Sequence, residues 1–142
     1  MTDDDLKEIT RRTGIAVSGV YTRKDGDTLG FSENLGSGKN APLNVRNAAG
    51  IITGTEKTVS GLGCRIVAGR YPENNNEIAI TSFLFDTFRR CGYRVYGAAE
   101  EVTVGAQEDI LGKTVRLGAL DATVTAVIDT GFDRERYSVL GE

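Results

Sequence analysis

Short apolar runs separated by polar turns fill much of the second half of the chain. Cys64–Ala68 and Glu77–Thr81 each concentrate apolar residues within five positions, a length typical of buried strands. Between them, Gly69 and Pro72 lead into a polar run rich in Asn, which is the composition of a turn. The pattern therefore predicts two strands joined by a turn.

The next segment changes from the strand period to the helix period. Three apolar residues recur at i, i+4 and i+7 and so share one helix face: Leu84, Phe88 and Cys91. Thr81 or Ser82 can act as the N-cap, and Gly92 suits the position after the last turn. Asp86 and Arg90 are spaced as an i,i+4 ion pair on the exposed side. These signals predict a helix over 83–91.

Two alternating stretches follow a strand-rich connection at 93–105. Lys113–Leu117 and Thr123–Thr130, joined by turn residues, predict an antiparallel hairpin. Alternation in the second strand predicts a core face formed by Val124, Ala126 and Ile128, and an opposite face formed by Thr123, Thr125 and Val127. Together these elements predict an α+β fold: a mixed or antiparallel sheet with a few short helices packed on one face.

A helix is also predicted at the start of the chain. Thr2 with Asp5 three positions later is a helix N-terminal signature, and Gly14 lies where the helix would stop. Leu6 and Ile9 would share its apolar face. A short amphipathic helix is the expected result.

The segment that follows is less regular. Residues 15–22 and 28–31 are predicted to form a hairpin around a turn at 24–27. Residues 32–63 are predicted to be rich in loops, including one from Gly54 to Gly63, and Ile51–Thr53 is too short to assign.

Composition narrows the class of protein. The 142 residues are 39% hydrophobic and 7% aromatic with no Trp, so a modest core would consist of Ile, Val, Leu and a few Phe. Eighteen glycines against two prolines favour short elements over a bundle of long helices. A net charge of −3 without a basic stripe argues against nucleic acid as a partner. No apolar run approaches 18 residues and no signal peptide is evident, which taken alone favours a soluble cytoplasmic protein.

The two cysteines have three interpretations. Cys64 and Cys91 lack the C-x-x-C spacing, and because the chain has no His, a Cys/His zinc site is excluded. Two buried thiols are the reading favoured by composition. A disulfide, which an extracytoplasmic location would permit, and a reactive thiol remain as alternatives.

The chain is poor in recognisable catalytic groups. Without His, the commonest general base and the Ser–His and Cys–His pairs are absent. A small hydrolase or transferase using carboxylates or Lys would need a pocket that gathers at least two of Glu77, Asp109, Lys113 and Asp129. No pair among them is marked by an apolar setting, so no catalytic, cofactor-binding or metal-binding residue is predicted, and no cofactor.

Two loop motifs partly match known ligand-binding motifs but lack residues that those motifs require. Residues 30–39 end in Gly38-Lys39 like a phosphate loop, but Asn40 replaces the Ser or Thr, and Pro42 disrupts the helix start that aims its N–H groups. Asp25-Gly26-Asp27 lacks the further oxygen ligands and closing Glu of an EF-hand. We interpret them as a loop and a hairpin turn.

Four tyrosines adjoin Gly, Arg or Pro: Tyr71, Tyr93, Tyr96 and Tyr137. Such residues suit either a partner surface or the polar edge of a core, and the core edge is the commoner location.

Short sequence motifs in the second half of the chain resemble those of a known family. Gly69-Arg70-Tyr71-Pro72 followed by Asn76-Glu77-Ile78-Ala79-Ile80 is similar to the "GR-P…NEI-IS" phrase of large permeases from Gram-positive bacteria. Ile110–Leu117 and Val127–Phe132 are similar to their later "GK-V-L" and "V-I-D" segments. In this order the phrases resemble the extracytoplasmic domain of FtsX/MacB-like ABC-transporter permeases. The match covers Cys64–Tyr137, about half of the chain.

That resemblance implies a location and a role. Residues 1–142 would be a single domain on the extracytoplasmic side of the cell membrane, carried between transmembrane helices of the same permease. Cytoplasmic ATPase subunits would move those helices, and the domain would relay the movement or contact an exported peptide, lipid or drug, or a partner protein. It implies no enzyme activity. The alternative is a free-standing soluble α+β binding or adaptor module.

Overall fold

The computed structural model describes residues 2–15, 17, 19–21, 34–36, 50–117 and 120–132. The helices are α1 (Asp3–Thr13), α2 (Glu56–Gly61) and α3 (Ser82–Cys91), with a 3-10 helix at Gln107–Ile110. The strands are β1 (Val20–Tyr21), β2 (Ile51–Ile52), β3 (Arg65–Gly69), β4 (Glu77–Thr81), β5 (Tyr93–Arg94), β6 (Glu101–Val102), β7 (Thr114–Leu117) and β8 (Leu120–Asp129). The α+β prediction is confirmed.

The main sheet has four strands and is mixed. Each of β3, β4 and β7 pairs with β8, which is the longest strand. On one edge of β8, β4 runs parallel to it; on the other, β3 pairs antiparallel with its second half and β7 with its first half. The predicted hairpin of β7 and β8 is confirmed, with Leu117 paired to Leu120.

The predicted faces of β8 are wrong beyond its middle. A bulge lies at Thr125, because Ile78 pairs with Val124 whereas the next residue of β4 pairs with Ala126. An extra residue in a strand reverses the alternation of side chains beyond it. Val127 therefore shares the core face with Val124 and is fully buried, while Ile128 points to the other face and is half-buried.

Helix α3 covers the core face of this sheet, as predicted. Thr81 is its N-cap, accepting a hydrogen bond from the backbone N–H of Leu84, and Gly92 follows its last turn. Its buried side chains pack with strand residues in one cluster that includes Ile80, Leu84, Phe85, Phe88, Cys91, Val124 and Val127. Asp86 pairs with Arg89, at 3.0 Å, one residue earlier than the predicted partner.

Helix α1 begins and ends as predicted. The Thr2 side chain accepts the Asp5 N–H, and the Asp5 carboxylate accepts the Thr2 N–H at 2.7 Å. Gly14 follows the helix with a φ of 68°, a left-handed conformation that glycine adopts without strain. Ile9 is 38% exposed on the predicted apolar face. None of the described helices has the length and apolar character needed to cross a bilayer.

Two predictions in the first half need correction or qualification. The predicted loop at 54–63 contains α2, whose N-cap Thr55 accepts the Thr58 N–H. Sequence reasoning missed it because a six-residue helix shows too little periodicity. Strand β1 lies within the predicted strand at 15–22 but pairs with β2, and the predicted partner at 28–31 lies outside the described residues.

Candidate functional site

The turn that carries the "GR-P…NEI" phrase is closed by the side chain of Glu77. Arg70 donates two hydrogen bonds to its carboxylate, at 2.6 and 2.9 Å, a paired geometry that strengthens an ion pair. The backbone N–H of Glu73 and the amide of Asn74 donate to the same carboxylate at 2.8 and 3.2 Å. The Glu77 side chain is 11% exposed. We call these four residues the clasp, because they hold the β3–β4 turn in one shape.

The clasp predicts a pH-dependent stability. Hydrogen bonds from Arg70, and next from the Glu73 N–H, lower the pKa of Glu77 from 4.5 to about 2. Because the folded pKa is depressed, the stabilisation is complete above 4.5 and is lost as pH falls towards 2. We expect Glu77→Gln to unfold at a lower urea concentration than wild type at pH 7. The gap should shrink as pH falls from 4.5 to 2, measured by circular dichroism.

Other carboxylates whose pKa is lowered do not affect this comparison, since wild type and variant share them. A gap between the two midpoints that stays constant from pH 7 to pH 2 would contradict the assignment. Glu73→Gln serves as a control, because its carboxylate is 3.7 Å from Arg70 and its role in the clasp is played by its backbone N–H.

At the end of β8, several contacts hold the outgoing chain. Arg65 donates to Asp129 at 2.9 and 3.1 Å, and the Ser82 hydroxyl donates to the Ile128 carbonyl at 3.0 Å. The rings of Phe83 and Phe132 meet edge to face with centroids 6.2 Å apart. We call Arg65, Ser82, Phe83, Asp129 and Phe132 the exit end. It ties the last described residues to both β3 and α3.

The four candidate residues for acid–base chemistry all have structural neighbours. Glu77 belongs to the clasp, and Asp129 accepts the Gly131 N–H, which with Arg65 lowers its pKa. Asp109 accepts the N–H groups of Ala106 and Gly105 at 2.8 and 2.9 Å, which lower its pKa and cap the 3-10 helix.

One pair among the four interacts through space. The positive charge of Lys113 lowers the pKa of Asp109 further, while the groups that shift the pKa values of Glu77 and Asp129 include none of the other candidates. The Lys113 ammonium lies 5.2 Å from the centre of the Tyr93 ring, a cation–π distance. The charge of Lys113 therefore acts on Asp109, whereas Glu77 and Asp129 each have separate structural partners.

The tyrosines divide between the two predicted environments. Tyr93 is 3% exposed and its hydroxyl donates to the Thr114 carbonyl, so it is a core residue with a satisfied polar end. Tyr96 is 51% exposed, with the Arg116 guanidinium 4.0 Å from its ring centre. Tyr71 is half-buried. Tyr137 and the Asp25–Asp27 turn lie outside the described residues.

Both cysteines are free thiols. Cys91, the last residue of α3, is buried in the core, and burial raises the pKa of its thiol. Cys64 is half-buried just before β3. Across the described ranges, no three Cys, Asp or Glu side chains gather as metal ligands would.

A buried tripeptide inside the predicted loop-rich region at 32–63 was missed. Asn34, Leu35 and Gly36 are all buried, and the Gly36 N–H donates to the Gly92 carbonyl, so this glycine is not free to bind phosphate. A lone Leu between Asn and Gly in a polar stretch is too weak a signal to reveal it. Arg65 and Asp129, far apart in the chain, carry no mutual sequence signal.

Comparison of the chain with protein-family models, curated proteins and solved structures finds no match.

Proposed function

We propose that the chain is a non-enzymatic extracytoplasmic domain of an ABC-transporter permease, and that it relays conformational change. The observation that carries the proposal is the position of β8. Every other strand of the main sheet pairs with it, and the exit end anchors the chain that leaves it.

The phrases that resemble such permeases support the proposal because they fall on one connected unit. The first phrase covers the clasp and β4, the second covers the turn before β7 and β7 itself, and the third begins in the last part of β8. Strand β4 leads directly into α3, which packs on β8. The three motifs that resemble permeases are thus neighbours in space.

The central position of β8 in the sheet suits the transmission of a mechanical force. A force applied along the axis of β8 would load its hydrogen bonds to β3 and β4 in shear, many at once. Bonds loaded together resist separation better than bonds opened one by one. The sheet would therefore move as a body, with α3 carried on it through the Ser82 and Phe83 contacts.

Membrane topology tests the proposal. In the complete gene product that contains this chain, a phosphatase reporter inserted at the exposed residue Ala98 should be active, because that enzyme works outside the cytoplasm. A fluorescent protein that matures only inside the cell should stay dark at the same site. Hydrophobic helices of about 20 residues should flank the chain.

The opposite results would overturn it. An inactive phosphatase together with a fluorescent signal from the second reporter at Ala98 would place the chain inside the cell. A complete product without such helices would favour the free-standing binding module. The same two reporters fused to the cytoplasmic ATPase subunit provide the control for an inside location.

A further inference from the structure

The β5–β6 hairpin has a rigid base and an exposed turn. The Ala98 N–H donates to the Val95 carbonyl at 3.0 Å, and Gly97 has a φ of 77°, as a type II turn requires at its third position. Five consecutive uncharged residues at this turn are exposed: Val95, Tyr96, Gly97, Ala98 and Ala99. At the base, the Tyr93 hydroxyl donates to the Thr114 carbonyl of β7 at 2.7 Å.

The buried tripeptide 34–36 lies against this base. Leu35 forms an antiparallel bridge with Tyr93, and the Gly36 N–H donates to the Gly92 carbonyl at 3.1 Å. A Cβ on Gly36 would overlap the carbonyl oxygen of Cys91, so the approach requires glycine. The tripeptide therefore pairs with β5 through a single β-bridge and one flanking hydrogen bond.

The side chain of Asn34 bridges two sheets. Its amide group donates to the Arg94 carbonyl of β5 at 3.1 Å and to the Thr114 carbonyl of β7 at 3.3 Å. Its carbonyl oxygen accepts the Arg116 N–H of β7 at 2.6 Å. Strands β5 and β7 belong to different sheets, so this amide stands in for backbone pairing between them.

The chemistry of the bridge is specific to an amide. Asn34 is 1% exposed, so without it the Arg94 carbonyl and the Arg116 N–H would lose a partner at a buried position, which carries a desolvation cost. The Thr114 carbonyl would keep the Tyr93 hydroxyl. An Asp carboxylate could accept from Arg116 but would face two carbonyl oxygens with no proton to donate. An Ala would leave all three groups without this partner.

We infer that Asn34–Gly36 is a latch that holds the β5–β6 hairpin against the main sheet. Withdrawal of the latch would free the hairpin and displace its exposed apolar turn. The latch is contributed by the first third of the chain, whereas its hydrogen-bond partners in β5 and β7 lie 60 and 80 residues further along. It is thus a built-in coupling between distant parts of the sequence.

The latch and the exit end lie towards opposite ends of β8. Tyr96 of the turn stacks on Arg116, which pairs with Asp121 near the start of β8, while Asp129 is its last residue. Extended backbone between Asp121 and Asp129 spans roughly 25 Å. Use of the latch to move the hairpin during transport rests on the proposed function, but the latch itself does not.

Native-state hydrogen exchange, followed by NMR on the isolated chain, tests the inference. In Asn34→Ala we expect the amides of Gly36, Arg116 and the β5–β6 pairing to exchange about tenfold faster or more, since three hydrogen bonds are lost. The amides that pair β4 with β8 should keep their wild-type rates. Asn74→Ala, a matched amide deletion in the clasp, should leave the Arg116 amide unchanged.

A measurement on wild type guards against a variant that does not fold. With low urea, the amides of Gly36, Arg116 and the hairpin should open as one unit, with the same urea dependence, below the global unfolding of β8. Hairpin amides that keep wild-type exchange in Asn34→Ala, or that open separately from Gly36 and Arg116 in wild type, would overturn the latch. Neither readout involves a membrane, so its failure is distinct from failure of the topology test.

Discussion

Replacement of Phe88 by alanine is expected to lower the free energy of unfolding by about 3–5 kcal/mol. Phe88 is 0% exposed at the centre of the α3 face, and its ring lies 6.2 Å from that of Tyr93. Truncation removes the buried ring and leaves a cavity that the rigid sheet cannot close. Urea denaturation followed by circular dichroism would show a lower midpoint with an unchanged slope.

Phe132→Ala is the matched control for this change. Phe132 is 53% exposed and its ring contact is with Phe83, so its truncation should cost about 1 kcal/mol. Equal losses for the two variants would contradict the assignment of α3 to the core face. That result would also remove the packing through which α3 follows the movement of β8.

Gly69→Ala is the second change with a large expected effect, a loss of about 2–5 kcal/mol. Gly69 has a φ of 77°, which strains any residue with a Cβ. A Cβ at this position would also overlap the carbonyl oxygen of Thr125. That oxygen accepts the Arg70 N–H at 2.9 Å, so it cannot retreat without losing a hydrogen bond next to the clasp.

Gly112→Ala separates the two causes. Gly112 has nearly the same φ, 76°, but a Cβ there meets no atom within 4 Å. Backbone strain alone should cost about 1–2 kcal/mol. The excess loss in Gly69→Ala, read from thermal and urea unfolding of both variants, measures the overlap with Thr125. If the two glycines tolerate alanine equally, the close approach of β3 to β8 at the bulge is wrong.

Local signals predicted the elements that depend on near neighbours in sequence. The apolar spacing of Leu84, Phe88 and Cys91 placed α3 and its buried face, and Thr81 and Gly92 marked its limits. The same holds for the Thr2 and Asp5 cap of α1. Hydrogen bonds and side-chain contacts within one or two helical turns are determined by residues three or four positions apart.

Predictions failed where a distant strand decided the outcome. Strict alternation placed Val127 away from the core, but the bulge at Thr125 reversed the faces of β8. A bulge arises from the pairing of two strands, so the sequence of one strand does not reveal it. The pairing of β1 with β2 was missed for the same reason.

The candidate site also has a part that local sequence signals indicated and parts that they did not. The clasp lies within a few residues, and its Gly, Pro and Asn marked a turn, although the hydrogen bonds that centre on Glu77 were not predicted. The exit end joins Arg65 to Asp129, and the latch joins Asn34 to Arg116. Both pairs are far apart in the chain and depend on the completed sheet.

The linear pattern of residues was enough to predict the α+β class, the caps of α1 and α3, the β7–β8 hairpin and the turn before β4. Each follows from propensity and from contacts between near neighbours. Contacts between distant strands determined which face of β8 is buried beyond Thr125, which strand β1 pairs with, and that Asn34 is buried. These features require backbone groups from separate strands to meet, and hydrogen bonds between such groups have no counterpart in a linear pattern.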